Sequence, residues 1–148
     1  MARIKATGSK DEHNQSVDST KLNDHIQQKA KKVTDQDVED LLKRQHEVED
    51  KLKGVPGKLK KMVNQVKLLF EMVKDYWKGD YSTLPWFSIA VAVVALVYFL
   101  SPVDLIPDFL PIVGYVDDAA MIGLAIMAIQ EDLRKYCEFK KYDMNQYF

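Results

Sequence analysis

The residues best placed to do chemistry are four aspartates, Asp104, Asp108, Asp117 and Asp118, in the stretch Ser101–Asp118, SPVDLIPDFLPIVGYVDD. The same stretch holds Pro102, Pro107 and Pro111, and it contains no Lys, Arg or His. One chemistry that fits is a hard-cation site, because Mg²⁺ and Ca²⁺ take carboxylate and carbonyl oxygens. The spacing lacks the alternating acids and central glycine of a calcium loop, and no His or Cys stands nearby to serve a transition metal. The other reading, which is favoured, is structural. Ser101, Pro102 and Asp104 match a helix start, with a capping hydroxyl, a proline at the first turn and an acid facing the free amides. Asp117 and Asp118 stand where the last helix would begin and its N-terminus wants acid. Asp108 follows Pro107 and could open a turn. Ser101 has no base to make it a nucleophile, and Gly114 is a lone glycine rather than a phosphate loop. No catalytic residue, cofactor or small-molecule substrate is assigned, and the expectation is a non-enzyme.

Two apolar runs must position this turn, Trp86–Leu100 before it and Ala119–Ile129 after it. The first would make a helix of about 22 Å, short of the roughly 30 Å hydrocarbon core. A buried core helix and a short or re-entrant membrane helix both fit. The second run is apolar on every face, which predicts burial on every face. Its Ala119, Ala120, Gly123, Ala125 and Ala128 are small enough for a neighbouring helix to come close.

Upstream, residues 1–33 are polar, and Ile4, Val17, Leu22 and Ile26 look isolated. Such a segment predicts a disordered tail, with His13 and His25 as solvated bystanders. A helix is expected to start at Thr34, where Asp37 completes a capping-box-like pair. From Val38 to Tyr76, apolar positions recur at spacings of 3 and 4, the seam of a coiled coil, interrupted in type only by Gln45. Pro56, between Gly54 and Gly57, predicts a kink in one long amphipathic helix over 34–78. After Pro56 the apolar stripe widens with Val63, Phe70 and Trp77, backed by lysines. That half reads either as a bundle helix or as a helix lying on an anionic membrane. Lys60, Lys67, Lys74, Trp77 and Lys78 are the candidate membrane-surface residues. The heptad seam over 38–76 also offers a route to a homo-oligomer.

The chain of 148 residues has a net charge of -1, unevenly distributed. Residues 1–80 carry 17 Lys+Arg against 14 Asp+Glu, and residues 81–148 carry 4 against 8. The lysines lack an arginine-rich or fold-specific pattern, so nucleic acid is not an expected partner. A single cysteine, Cys137, excludes an internal disulfide framework. There is no secretory h-region in the first thirty residues, so membrane insertion would have to use internal segments.

The segment Tyr98–Asp118 resembles the signature of the YkvA-like family, a bacterial domain of unknown function. That signature reads S-P-x-D-x-I-P-D-x-x-P-x-x-G-x-x-D-D. Ser101, Pro102, Asp104, Ile106, Pro107, Asp108, Pro111, Gly114, Asp117 and Asp118 match it. The resemblance implies a small membrane-associated helical hairpin with no established activity or cofactor.

Together these readings predict an all-α chain. Its parts are a tail over 1–33, an amphipathic helical region over 34–80, a hairpin over 85–136 and a short C-terminal tail over 137–148. The expected function is anchoring or scaffolding at a membrane, with lipids as partners. Basic flanks around an acidic turn place it in the bacterial inner membrane with both termini cytoplasmic. A soluble, cytoplasmic helical-bundle interaction module and a Mg²⁺- or Ca²⁺-dependent protein built on the aspartates are the alternatives.

Overall fold

The computed structural model describes residues 21–101 and 118–148, with only the backbone of Asp118 and Ala119 included. The described residues are helical and contain no strand. The helices are α1 (21–30), α2 (Asp35–Leu42), α3 (Gln45–Lys53), α4 (Lys60–Lys78), α5 (Trp86–Leu100), α6 (Asp118–Ala128) and α7 (Gln130–Lys140). Short 3-10 turns cover Gly57–Leu59 and Met144–Gln146.

Residues 21–30 correct the expectation of disorder for that part of the tail; residues 1–20 lie outside the described residues. Leu22, Ile26 and Ala30 recur every fourth residue, share one helical face and are all buried in the common core. His25 on this helix is half-buried rather than solvated.

The start of α2 is as expected. The Asp37 amide donates to Thr34 Oγ1 at 3.2 Å, and the Thr34 amide donates to Asp37 Oδ2 at 2.9 Å. The long kinked helix is not found. Besides the expected interruption at Gly54–Pro56, the chain breaks at Lys43–Arg44, so 34–78 forms three helices. All three pack on α5, and a single rod could not wrap it in this way. Val38, Leu41, Val48, Leu52, Met62, Val66, Leu69 and Val73 of the seam are buried in the chain's own core. The seam is therefore covered from within, and it presents no exposed a/d stripe to a second copy.

Gly79 ends α4 at φ 87°, a left-handed conformation that glycine adopts without a Cβ penalty. Its amide bonds the Tyr76 carbonyl at 3.1 Å, and the Asp80 amide bonds that of Asp75 at 2.9 Å. Pro85 then stands at the residue just before α5, in extended conformation and without a side-chain capping bond.

The centre of the molecule is α5. Helices α2, α3, α4 and α6 all pack on it, and its residues from Ser88 to Phe99 are buried, Val97 only partly. This encirclement accounts for a helix that is apolar on all faces. Its buried polar side chain, Ser88, donates to the Asp132 carboxylate. No helix among the described residues is long and apolar enough to cross a membrane.

The last helix also departs from expectation. It breaks at Ile129 into α6 and α7. Met121, Ile122, Ala125 and Ile126 of α6 are buried, but Ala120, Met127 and Ala128 are exposed, so burial is one-sided. A Cβ at Gly123 would meet nothing within 4 Å, so no close helix approach depends on that glycine. Residues 137–140 of the expected C-terminal tail belong to α7. The remainder folds back on α4. Lys61 Nζ, Asn64 Nδ2 and Gln65 Nε2 donate to the backbone oxygens of Phe148, Gln146 and Tyr147 at 2.8, 3.1 and 2.7 Å.

Candidate functional site

The signature turn is reached from both sides. At the end of α5, the Ser101 amide bonds the Val97 carbonyl at 2.8 Å, so Ser101 closes the helix before the turn. α6 begins at Asp118. Pro102, Asp104, Pro107, Asp108, Pro111, Gly114 and Asp117 lie outside the described residues, as does the side chain of Asp118. Among the described residues, no group of three or more His, Cys, Asp or Glu side chains could hold a metal ion.

Of the five membrane-surface candidates, Lys60, Lys67, Lys74 and Lys78 recur along one side of α4, with Trp77 about a quarter-turn away. Lys60, Lys67 and Lys78 are exposed. Lys74 is half-buried and donates to Gln45 Oε1 at 3.3 Å. Trp77 is partly buried against the core. The apolar face that would enter a bilayer, Met62, Val66, Leu69, Phe70 and Val73, is already buried in the protein.

Two surface features remain. At the start of α5, Trp86 is 37% and Phe87 43% exposed, with Trp86 packed at 6.4 Å from Tyr76. Toward the opposite end of α5, Lys51 donates to the Phe99 backbone oxygen and sits 4.5 Å over its ring. A lysine-rich elbow follows, joining α3 to α4, with Lys53, Lys58, Lys60 and Lys61 all exposed. This elbow therefore lies toward the end of α5 from which the signature turn leaves.

One polar cluster escapes sequence reasoning. Asp75 of α4 accepts hydrogen bonds from the Tyr136 hydroxyl and from Lys140 Nζ, the latter at 3.2 Å. Neighbouring Glu71 accepts from the Tyr142 hydroxyl at 2.8 Å and lies 3.5 Å from Lys140 Nζ. Burial and these carboxylates push the Tyr136 hydroxyl above its ordinary range and Tyr142 up to about 12. Burial also pushes the Cys137 thiol up, which makes it inert rather than nucleophilic. The carboxylates are occupied by protein donors, so the cluster ties α7 and the C-terminal segment to α4. The signal in sequence was weak: two acids on the polar face of α4, with partners more than sixty residues away.

Comparison with known proteins bears on the hairpin. The family model described as "Protein of unknown function (DUF1232)" matches residues 88–124, which run from α5 through the turn into α6. The "uncharacterized membrane protein YkvA" of Bacillus subtilis (strain 168) is 32% identical over 77 residues, covering 52% of this chain and 73% of that protein. No solved structure matches significantly.

Proposed function

The chain belongs to the YkvA-like family of DUF1232 proteins, and from that premise we propose that it is a non-enzymatic anchoring or scaffolding protein held at a membrane surface without crossing it. The relative's name supports the membrane. The observation that carries the surface mode is α5, the most apolar helix, encircled by the chain's own helices. Its 15 residues span about 22 Å against a hydrocarbon core of about 30 Å. Insertion would require the surrounding helices to leave it and expose their own apolar faces. A protein on the cytoplasmic face of a bacterial inner membrane keeps both termini cytoplasmic without any segment crossing.

Fractionation of cells expressing the full chain tests this reading. The protein should sediment with membranes at low salt and be released by a high-salt wash, because salt screens surface attraction but not apolar insertion. Retention through high salt and alkaline carbonate would show insertion and refute the surface mode. Recovery in the soluble fraction at low salt would favour the second reading, a soluble bundle acting as an interaction module, which the burial of α5 also supports.

A further inference from the structure

We propose that the elbow joining α3 to α4, with the adjoining outer face of α4, docks the protein on anionic phospholipid headgroups. This rests on the membrane-surface reading and names the surface and the lipid class. Between Asp50 and Glu71 the chain has six lysines and no acidic residue. Of these, Lys53, Lys58, Lys60, Lys61 and Lys67 are exposed.

The nearby acids are engaged. Asp50 lies 3.8 Å from Lys53 and 3.1 Å from His46, and Glu71 is held by Tyr142 and Lys140. Lys61 is held by the Phe148 backbone oxygen. Lys58, Lys60 and Lys67 have no ion-pair partner among the described residues and supply the free positive charge.

Local helix physics makes the arrangement notable. The first turn of α4 carries Lys60 and Lys61, no acid and no side-chain cap, although a helix N-terminus favours negative charge. These lysines weaken the helix they start; Lys61 is offset by its bond to the Phe148 backbone oxygen, and Lys60 has no ion-pair partner among the described residues. Lysine suits a diffuse layer of headgroups, whereas bidentate recognition of a fixed phosphate favours arginine, which the elbow lacks. Contact through lysines alone leaves the apolar core intact, consistent with the burial of the inner face of α4.

The test uses the full chain and vesicles about one-third phosphatidylglycerol and two-thirds phosphatidylcholine, with pure phosphatidylcholine vesicles alongside. The wild-type chain should bind the anionic vesicles, bind the neutral ones far less, and detach as salt rises. The triple variant Lys58→Gln/Lys60→Gln/Lys67→Gln should bind roughly a hundredfold more weakly, since each lysine near such a surface contributes about fivefold. All three side chains are exposed, so its circular dichroism and melting curve should match wild type. Trp86→Ser/Phe87→Ser, toward the other end of α5, should retain anionic-vesicle binding. Binding by the triple variant equal to wild type would overturn the proposal, as would loss of binding in the Trp86/Phe87 variant alone, which would move the docking surface to the aromatic end. Tighter binding to single-stranded DNA than to anionic vesicles would also overturn it. Failure of the wild-type chain to bind vesicles of either kind would instead remove the membrane-surface reading on which the proposal rests.

Discussion

Replacing Asp75 with alanine should be among the more damaging changes outside the apolar core. The Asp75 side chain is 13% exposed and accepts from two donors on α7, the Tyr136 hydroxyl and the Lys140 ammonium. In Asp75→Ala the Tyr136 hydroxyl is left buried without its acceptor, which costs about 1–3 kcal/mol. Lys140 keeps Glu71 at 3.5 Å, and its partly exposed head adds at most about 1 kcal/mol. The expected total is about 1–4 kcal/mol. Tyr136→Phe should cost less, about 1–2 kcal/mol, because Asp75 retains Lys140 and some water. Once the carboxylate is gone the hydroxyl has nothing to donate to, so the double variant should be more stable than the sum of the single effects by about 1–2 kcal/mol. Urea unfolding followed by circular dichroism at neutral pH measures all four species, with an unchanged slope required for comparison. Additivity within about 0.3 kcal/mol would mean that the pair does not couple and that apolar packing alone holds α7 on α4.

Two other expectations follow from described groups. Tyr136, Tyr142 and Cys137 all hold their protons more tightly in the fold than in the unfolded chain. Their contribution is complete below the unfolded values, about 8.5 for Cys and 10 for Tyr, and is lost as pH rises toward the folded ones. Urea midpoints should therefore hold steady from neutral pH to about 8 and fall steeply above about pH 10, less steeply in Tyr142→Phe; a midpoint constant to pH 12 would contradict this. For the signature turn, Asp104→Asn and Asp117→Asn should shift the melting temperature little, since Asn caps helices about as well as Asp, and Mg²⁺ or Ca²⁺ should leave it unchanged. A saturable rise with metal that Asp108→Asn abolishes would replace capping with cation binding.

What could be read in advance was what short-range chemistry decides. Thr34 and Asp37 cap a helix because the two side chains meet three residues apart, whatever surrounds them. Trp86–Leu100 is a helix between the same residues that its composition marks out. The burial of Val38, Leu41, Val66 and Val73 follows from their spacing. Long-range decisions were not legible. Leu22, Ile26 and Ala30 look isolated in a polar segment, and they count as a face only because a finished core is there to receive them. The break at Lys43–Arg44 has no glycine or proline to announce it, because it arises from the need of α2 and α3 to lie separately on α5. For the candidate site, the positions of lysines on α4 were visible, but which remain free depended on where Gln45 and the C-terminal segment would fold. The choice between core and bilayer for α5 was closed to composition, since both demand the same residues.

The encirclement of α5 has a consequence for dissecting the protein. The shielding of its apolar surface is a property of the assembled helices, and no single part carries it. A fragment beginning at Pro85 would retain the matched hairpin region but lose α2, α3 and α4, baring the flanks of a helix that is valine, alanine and leucine for most of its length. Such a fragment would seek a bilayer or aggregate whatever the whole protein does. Membrane partition measured on an excised hairpin would report the hunger of an undressed core helix, and only the full chain reports the behaviour of the protein.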